Sequence, residues 1–562
     1  MAQGTVLIAV AAIVGNLLFS GAGVPYAGQA ATITVNSGAT YQTVNGWEAT
    51  DYIGEPDTRE WPALPKYRDA LMDQAVDVGI NRLRLEVYPG IENKVDHFTK
   101  ALNGQINFVD WVHNYGRSPV NDDSDPDHIN WAGFQFSSLD WKIDNIVVPM
   151  KQRLEARGEH LFINLCFVSF GTSNTGFYQY NSPREYAEFM LATFRHMQSK
   201  YGFVPDTIEV ELEPENTSGF DGTKMGNAIK ATISLLEANG FSPKYVVPST
   251  TNMSNAPIYF DAIKAVLGDA MVRQYVQEIS YHRYSGVSDS ALQSIASRSV
   301  QYGIGASMLE WWDQNNTYQT LHQDLTTGRN TAWQQGTILG ICGVDVTDPN
   351  NPVVTTSSAT KFFRQYFKFV REGAARIDAA TTNSNFDPVA FINRDGRYVV
   401  VVKAASGGSF SVQGLPAGTY GVKYTTSSQF DVDLPDAELS GEQTLDSSIP
   451  SAGVVTIYGK TVPLPGSERS PSIAAEGAAS PKEFHLGFRA LAEEVPWLVG
   501  EPLENEHYTV NGDCLQQTSK GLMVWRKADN WTAFTDGSRT WVNGPLGVQE
   551  RGNDDRFDWE SR

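Results

Sequence analysis

The feature that most constrains the fold is a regular alternation of short apolar strands with helical stretches between residues 45 and about 365. This pattern is typical of an α/β fold whose parallel strands are joined by helical crossovers. Eight such units predict a closed (β/α)8 TIM barrel. An open doubly wound sheet is the alternative, and it lacks support because no G-x-G-x-x-G motif follows the first strand.

The periodicity changes after the predicted barrel. Residues 376–460 alternate with a period near two and carry turn signals such as Arg394-Asp395-Gly396, which indicates an antiparallel β-sandwich over residues 366–460. Residues 461–480 are rich in Pro, Ser, Gly and Ala and are predicted to be a linker. Residues 481–562 are predicted to form a small C-terminal module dense in tryptophan, with Trp497, Trp525, Trp531, Trp541 and Trp559.

The first 30 residues are typical of a secretory signal peptide. Residues 6–19 are mostly apolar and too short to span a bilayer comfortably, and residues 27–30 offer a cleavage point. The segment lacks Lys and Arg, so an uncleaved membrane anchor is the alternative. In either case we expect the protein outside the cytoplasm, secreted or associated with the cell surface. The barrel domain then covers residues 31–365 and opens with a β-rich lead-in.

Charge and cysteine content exclude several classes of partner. The net charge of −21 leaves no evident basic surface, which argues against nucleic acid as a partner. The three cysteines, Cys166, Cys342 and Cys514, are too few and too scattered for a disulfide framework. The sequence contains neither a C-x-x-C nor an H-E-x-x-H motif, so we expect no zinc site, and nothing indicates another metal or an organic cofactor.

Two predicted strands end in a carboxylate. Residues 207–216 alternate Ile208, Val210 and Leu212 with Glu209, Glu211 and Glu213, and Pro214 ends the strand. Residues 304–312 form a second apolar strand that ends in Glu310 and is followed by Trp311 and Trp312. The two end carboxylates are 97 residues apart. At roughly 30 residues for each βα unit, this spacing predicts the fourth and seventh strands of one barrel.

A pair of carboxylates with aromatic surface beside it suits cleavage of a glycosidic bond, since one group can protonate the leaving oxygen while the other attacks the sugar or stabilises its cation. For Glu213 and Glu310 alike, the structural alternative is an ordinary buried ion pair. An exposed acidic edge strand is a further alternative for residues 207–216.

The second predicted strand carries charges on one face. Arg82 and Arg84 alternate there as Glu209 and Glu211 do, so we expect the two arginines to neutralise those two carboxylates inside the barrel. The alternative is a solvated strand. Residues 89–140 then form a long irregular stretch with many aromatic residues, which is either a wall of a substrate cleft or a packed structural insertion.

Residues 40–460 resemble the clan A glycoside hydrolases, most closely family 30 and next family 39. The resemblance rests on Glu213-Pro214 after the fourth strand, Glu310 at the end of the seventh, and His282 with Tyr284 after the sixth. Arg84 on the second strand matches an arginine of the clan. Residues 42–47 and 368–377 resemble the first-strand opening and the helix that precedes the sandwich.

The resemblance implies residue roles. Glu310 would be the nucleophile and Glu213 the acid/base of a retaining double displacement, with neighbouring carboxylates raising the pKa of Glu213. Tyr284 would orient Glu310, and Trp311 or Trp312 would form the floor of the sugar site. The complete set of predicted substrate-binding residues is Arg84, Trp47, Asn164, Asn216, His282, Tyr284, Trp311 and Trp312.

One residue departs from the pattern. The clan normally has Asn directly before the acid/base, where it contacts the 2-hydroxyl of the sugar, and this chain has Leu212. Three explanations follow: another group such as Asn164 or Asn216 supplies the contact, the substrate differs there, or the protein is catalytically weak.

The C-terminal module, through residues 521–537, is similar to small Trp-rich modules of bacterial secreted and cell-wall-active proteins. Its tryptophans would bind glycan or cell wall, or form a small core. For the whole chain we expect a secreted retaining glycosidase that cleaves β-linked polysaccharide or oligosaccharide. An exo-acting xylosidase or arabinofuranosidase and a non-catalytic glycan-binding protein on the same fold are the alternatives.

Overall fold

The computed structural model describes residues 31–52, 60–313, 316–348, 350–441 and 443–460, and within the C-terminal module residues 484, 486–504, 506–508, 513–526, 531–544, 547–553, 555–557 and 559. The predicted signal peptide and the predicted linker lie outside these ranges. Within the described part of the chain, none of the helices combines the length and the apolar character needed to cross a membrane.

The closed parallel barrel predicted from the sequence is confirmed. After β1 (Ala31–Thr43), eight strands pair in sequence order and close the ring from the eighth back to the first. Their C-terminal ends therefore lie at one end of the barrel. The barrel strands are β2 (Gly46–Thr50), β3 (Arg82–Val87), β4 (Phe162–Phe167), β5 (Thr207–Glu209), β6 (Lys244–Asn252), β7 (Val276–Ser285), β8 (Gly305–Glu310) and β9 (Ala332–Thr337).

The helices follow the strands with recognisable start and stop signals. In α6 (Pro183–Tyr201), which follows β4, the Ser182 hydroxyl accepts from the Glu185 N–H and Pro183 lies in the first turn. Gly202 ends this helix with a backbone conformation in the left-handed region. The helices are α1 (Glu60–Val78), α2 (His97–Leu102), α3 (Phe108–Asp110), α4 (Ser137–Lys142), α5 (Val148–Glu155), α6 (Pro183–Tyr201), α7 (Gly222–Glu237), α8 (Ala256–Leu267), α9 (Asp269–Tyr275), α10 (Asp289–Tyr302), α11 (Tyr318–Thr326), α12 (Ile338–Ile341), α13 (Ser358–Phe367), α14 (Leu486–Glu494) and α15 (Pro496–Val499).

The eighth barrel strand lies earlier than its apolar pattern suggests. The apolar run at residues 336–345 predicts the eighth strand there, but β9 ends at Thr337, and α12 follows with the Thr337 hydroxyl accepting from the Gly340 N–H. Residues after α12 form a separate ribbon of β10 (Cys342–Asp345) and β11 (Val353–Thr356). The expectation is wrong because this part of the barrel interior is polar: Gln334 on β9 donates to the buried Glu48 at 2.9 Å.

The β-sandwich prediction is confirmed as a mostly antiparallel sheet of nine strands. We placed the lead-in with the barrel, but β1 pairs with β12 and β15, and Ile33 and Val35 are buried in the sandwich core. The lead-in alternates buried and exposed residues, as a strand covered on one face does. The other strands are β12 (Ala375–Thr381), β13 (Phe386–Ile392), β14 (Tyr398–Ala404), β15 (Gly408–Gln413), β16 (Gly418–Thr426), β17 (Val432–Leu439), β18 (Leu445–Ile449) and β19 (Gly453–Gly459).

The long stretch after β3 is a packed insertion. Phe98 and Trp111 pack with Tyr88 and Leu212 in one apolar cluster, which lies just past the C-terminal ends of β3, β4 and β5. The insertion therefore covers this side of the barrel end, while Trp131 on it is exposed.

The C-terminal module forms its own compact unit. Its strands make a six-stranded antiparallel sheet: β20 (His507–Tyr508), β21 (Cys514–Gln517), β22 (Leu522–Arg526), β23 (Trp531–Thr535), β24 (Arg539–Gly544) and β25 (Gly547–Gly552). Trp525 and Trp541 pack against a core that includes Leu491, Met523 and Phe534. These two tryptophans are thus partly buried against the core, and glycan binding by the module stays a prediction.

Candidate active site

Glu213 lies beyond the end of β5 in an uncommon backbone conformation. Its φ of 51° places a non-glycine residue in the left-handed region, which persists only where surrounding contacts determine it. The Glu213 N–H donates to the carbonyl of Ser249 at 3.1 Å, and the Glu213 carbonyl accepts from the Asn216 N–H at 2.8 Å. These bonds direct the carboxylate towards His282, whose Nδ1 lies 2.9 Å from Oε1. The Asn216 side-chain amide donates to Oε2 at 2.7 Å.

Glu310 ends β8 and faces Glu213 across the barrel mouth. Its Oε2 accepts from Arg84 at 2.6 Å and its Oε1 from the Tyr284 hydroxyl at 3.0 Å. One carboxylate oxygen of Glu310 and one of Glu213 lie within 4.8 Å of each other. The two residues are 6% and 8% exposed, so both carboxylates border the opening without projecting from it.

The contact between Glu213 and His282 shifts the pKa values of both groups. Burial raises the pKa of Glu213, but the hydrogen bond and charge of His282, with the hydrogen bond from Asn216, outweigh burial and lower it. Burial lowers the pKa of His282, whereas the carboxylates of Glu213 and Glu310 raise it above its ordinary value. The expectation that neighbouring carboxylates raise the pKa of Glu213 is therefore wrong, because the hydrogen bond and the positive charge of the His282 imidazole favour the ionised carboxylate.

The arginines of β3 do not pair with Glu209 and Glu211 as expected. Arg82 binds Glu48 and Glu278, all three of them 0% exposed. Arg84 binds Glu310 and, at 3.2 Å, Glu86. The expectation is wrong because the carboxylates that contact the two arginines lie on β2, β3, β7 and β8, and not in the segment 207–216. Arg84 is itself 0% exposed, so it positions Glu310 and is not available to a substrate.

Glu211 is held by the backbone next to the pair. It accepts from the hydroxyls of Ser169 and Thr217 at 3.0 and 3.1 Å, and from the N–H groups of Ser169 and Phe170. Burial raises its pKa to about 8, although these hydrogen bonds oppose the shift. Glu211 thus ties the turn after β4 to the segment that carries Glu213.

Leu212 replaces the polar residue expected before the acid/base. Its side chain is 4% exposed and lies in the apolar cluster of the insertion, with Tyr88 and Trp111. Of the two amides considered as substitutes, Asn164 is fully buried and donates to Glu209 at 2.7 Å, so it does not reach the opening. Asn216 is exposed and contacts Glu213, so it is the amide that lies at the mouth.

The two tryptophans after Glu310 point to different places. Trp311 is partly buried, with the guanidinium of Arg283 5.4 Å from its ring centre. Trp312 is 46% exposed, stacks on Tyr52 with ring centres 5.7 Å apart, and donates its backbone N–H to the Tyr284 hydroxyl at 3.1 Å. Both line a cavity of about 270 Å³ with Gln335 and Thr337. Trp312 therefore offers the exposed aromatic face for a sugar ring.

Two predicted binding residues lie away from the opening. Trp47 is 0% exposed, stacks on Phe367 and donates its indole N–H to the carbonyl of Val370, so it joins the barrel to the helix behind it. His282 is also 0% exposed and contacts Glu213 and not the open space. Neither side chain is exposed at the opening, so any role of Trp47 or His282 in binding substrate stays a prediction.

Sequence reasoning missed several polar residues behind the pair. Ser249 lies 3.2 Å from Nε2 of His282 and donates to Glu209. Lys142 lies 3.1 Å from Asp51 and 3.8 Å from the Glu86 carboxylate that also binds Arg84. Glu86 shares the alternating face of Arg84, which was a usable signal. No such signal marks the other three residues, Asp51, Lys142 and Ser249, because the spacing of the residues around them shows no pattern.

The two carboxylates and His282 are also the group of side chains whose atoms could approach one metal ion. Among the described residues, Glu213, His282 and Glu310 are the group whose potential ligand atoms all lie within 4.8 Å of one another. These atoms are already joined by hydrogen bonds from Arg84, Tyr284 and Asn216. The arrangement of two opposed carboxylates, each held by donors, is suited to proton transfer and nucleophilic attack.

Comparison with known proteins adds independent findings. Residues 373–435 match the family model described as the glycosyl hydrolase family 30 beta sandwich domain. A family 30 endoxylanase from Clostridium papyrosolvens is 17% identical, covering 76% of this chain and 100% of its own, with a TM-score of 0.53. A subfamily 8 xylanase from Clostridium acetobutylicum gives the same values. An endo-β-1,6-glucanase is 15% identical, covering 77% and 96%, with a TM-score of 0.53. No curated protein sequence matches the chain.

These findings bear on two predictions. The resemblance to family 30 is confirmed by the matched sandwich domain and by the fold shared with solved family 30 enzymes. The prediction that the chain is a glycosidase is supported by the matched family 30 domain.

Proposed function

We propose that this protein is a retaining glycoside hydrolase that cleaves β-glycosidic bonds in a polysaccharide by double displacement. The observation that carries the proposal is that one carboxylate oxygen of Glu213 and one of Glu310 lie within 4.8 Å of each other. Retaining glycosidases hold their two carboxyl groups about 5–5.5 Å apart, whereas inverting enzymes need roughly 6.5–9.5 Å to admit a water molecule.

In the first step, Glu310 attacks the anomeric carbon while the bond from that carbon to the leaving oxygen breaks. Arg84 and Tyr284 each donate to one oxygen of Glu310, which orients the attacking carboxylate. The proton shared by Glu213 and His282 passes from Glu213 to the leaving oxygen. The products of this step are the released alcohol and a glycosyl ester of Glu310.

In the second step, water attacks the same carbon and Glu213 takes one of its protons. The ester bond breaks, Glu310 becomes a carboxylate again and the sugar leaves with its original anomeric configuration. Trp312, with 46% of its surface exposed beside Tyr284, is placed to stack on a sugar ring during both steps.

The substrate class rests on the neighbours. Three of the solved structures with this fold are described as two xylanases and an endo-β-1,6-glucanase, which supports a β-linked polysaccharide for this chain. The buried Leu212 predicts a weaker demand for the 2-hydroxyl contact than an asparagine would impose. We also propose that the protein acts outside the cytoplasm, as its N-terminal sequence indicates.

The experiment is to incubate the purified protein with glucuronoxylan, arabinoxylan and β-1,6-glucan and to measure new reducing ends and product lengths. Glu310→Gln is run in parallel. Release by the wild-type protein that is lost in the variant supports the proposal, and the product lengths separate endo from exo action. Release that persists in Glu310→Gln contradicts the assignment of the nucleophile.

A second candidate is a non-catalytic glycan-binding protein on the same fold. Leu212 favours it, since contacts to the 2-hydroxyl strengthen in the transition state and, with substrate distortion, contribute several kcal/mol. Retained binding to one of the three polysaccharides without any product favours this candidate. In that case Leu212→Asn is the first variant to test for recovered turnover.

A further inference from the structure

Behind Glu213, a chain of hydrogen bonds runs into the barrel interior. Nδ1 of His282 lies 2.9 Å from Glu213, and Nε2 of the same ring lies 3.2 Å from the hydroxyl of Ser249. The Ser249 hydroxyl in turn donates to Glu209. His282, Ser249 and Glu209 are each 0% exposed. Because bulk water does not reach this chain, its protons are directed by the groups in it.

The direction of each bond follows from donor counts. Both oxygens of Glu209 accept: one from Ser249, the other from the Asn164 amide at 2.7 Å. The amide is oriented because its carbonyl accepts from the Thr207 hydroxyl at 2.9 Å. A serine hydroxyl can donate one hydrogen bond, and here Ser249 donates it to Glu209. Towards His282, the oxygen of Ser249 can therefore act as an acceptor only.

This leaves one tautomer for the neutral ring of His282. Nε2 must carry a hydrogen in order to donate to Ser249, so the neutral ring has its proton on Nε2 and a lone pair on Nδ1. Nδ1 then either accepts from a protonated Glu213 or carries a second proton and donates to ionised Glu213. In both cases a single proton lies between Nδ1 and the acid/base carboxylate. The charged groups that act on the ring from the surrounding strands are Glu213, Glu310 and Arg84.

We propose that Ser249 and Glu209 are positioning residues that fix His282 in its Nε2–H form, so that the proton opposite Glu213 stays available for the leaving oxygen. The proposal rests on the function proposed above for Glu213. Ser249 is suited to this task, since its backbone carbonyl also accepts from the Glu213 N–H at 3.1 Å. Its φ of 59°, uncommon for a residue other than glycine, is the kind of strained conformation that occurs at functional sites.

Removal of the hydroxyl should reverse the tautomer. In Ser249→Ala, an Nε2–H would be buried without an acceptor, which is unfavourable. The neutral ring would carry its proton on Nδ1 instead and donate it to the Glu213 carboxylate, which stabilises the ionised form. Glu213 would then lack the proton that the leaving group needs.

The matched control is Ser280→Ala on β7. The Ser280 hydroxyl is also 0% exposed inside the barrel, and it has no hydrogen-bond partner among the described residues. The two variants thus remove the same atoms from similarly buried positions, and only one of them interrupts the chain to Glu209.

The direct test is ¹⁵N NMR of protein labelled at histidine, with the His282 signals identified by their loss in His282→Asn. Above the pH where the ring becomes neutral, we expect Nε2 protonated and Nδ1 unprotonated in the wild-type protein and in Ser280→Ala. In Ser249→Ala we expect the opposite. An Nδ1–H ring in the wild-type protein, or an unchanged tautomer in Ser249→Ala, overturns the proposal. This measurement needs no substrate, so it decides the inference even if the protein hydrolyses nothing.

The kinetic test uses aryl β-glycosides of the sugar that the polysaccharide assay identifies. With phenol as the leaving group, which needs a proton, we expect kcat/KM of Ser249→Ala to fall about tenfold. With 2,4-dinitrophenol, which leaves as an anion, we expect less than twofold. Ser280→Ala should match the wild-type protein on both. Equal losses on the two leaving groups contradict a role in proton supply.

Discussion

Arg82 and Arg84 lie two residues apart on the same strand, on the same face, and have different surroundings. Arg82 is enclosed by Glu48 and Glu278, and Glu48 accepts in addition from Gln334. All of these groups are 0% exposed. Arg84 also binds two carboxylates, but one of them, Glu310, is 6% exposed and accepts from Tyr284, which is 40% exposed.

The difference is one layer of the barrel. Inward-facing side chains two residues apart on a strand belong to successive layers, and the layer nearer the C-terminal ends borders the opening. The Arg82 layer has charges that only neutralise one another. In the Arg84 layer, the same kind of pairing leaves Glu310 facing Glu213 at the surface. Catalysis should therefore depend on the Arg84 layer, and the stability of the fold mainly on the Arg82 layer.

The largest effect expected is the loss of hydrolysis in Glu310→Gln. An amide cannot attack the anomeric carbon, so kcat/KM should fall about 10⁴-fold or more. The variant should stay folded, because the amide oxygen can still accept from Arg84 or Tyr284. The measurement is reducing-end release, with circular dichroism to verify the fold. Activity within a hundredfold of wild type would place the nucleophile elsewhere.

A glutamate-to-glutamine substitution in the Arg82 layer should lower the stability of the fold. Glu278→Gln removes one charge from a fully buried pair while Arg82 keeps Glu48, and we expect the free energy of unfolding to fall by about 3 kcal/mol. Urea unfolding followed by fluorescence measures this change. Activity per folded molecule should stay within about threefold of wild type. A stable but inactive Glu278→Gln would show that the two layers are not separate in function.

The pH dependence sharpens the role of the Glu213–His282 pair. The carboxylates around His282 raise its pKa above the ordinary value, so the shared proton is retained at neutral pH and lost as pH rises through that raised pKa. We expect kcat/KM to fall about tenfold per pH unit above this point. A pH series with the wild-type protein measures it. A decline that begins below pH 6, or a constant rate up to pH 10, would contradict the shared proton.

A much smaller loss than that of Glu310→Gln is expected for Tyr284→Phe. Its hydroxyl donates to Glu310 at 3.0 Å, and a hydrogen bond to a charged group contributes about 2 kcal/mol, or roughly thirtyfold in rate. Arg84 still orients the nucleophile, so the loss should appear mainly in kcat. Kinetics with one polysaccharide test this. A loss as large as that of Glu310→Gln would mean that the tyrosine does more than orient the carboxylate.

The parts of the fold that local pattern determines could be predicted from the sequence. Strand–helix alternation was sufficient for the barrel, and the carboxylates at two strand ends were sufficient to bring Glu213 and Glu310 together. The eighth strand was misplaced because its interior residue Gln334 is polar, while the apolar run after it forms a short helix. An apolar pattern reports burial, and burial alone does not distinguish a strand from a helix.

The partners of the buried charges could not be predicted. Alternation places Arg82 and Arg84 on the inner face, but which carboxylate each one meets depends on the register between strands that are distant in sequence. Glu278 and Ser249 contribute through such contacts, and neither carries a local signal. The lead-in strand is a similar case, since its partners β12 and β15 lie more than 300 residues further along the chain.

The central claim is that Glu310 and Glu213 act by double displacement, and the anomeric configuration of the first product tests it most directly. ¹H NMR during the first minutes of hydrolysis, on whichever β-linked polysaccharide is cleaved, records the new reducing end before it mutarotates. The account predicts that the β-anomer forms first. Initial formation of the α-anomer would mean inversion, and the two carboxylates would not have the roles proposed for them.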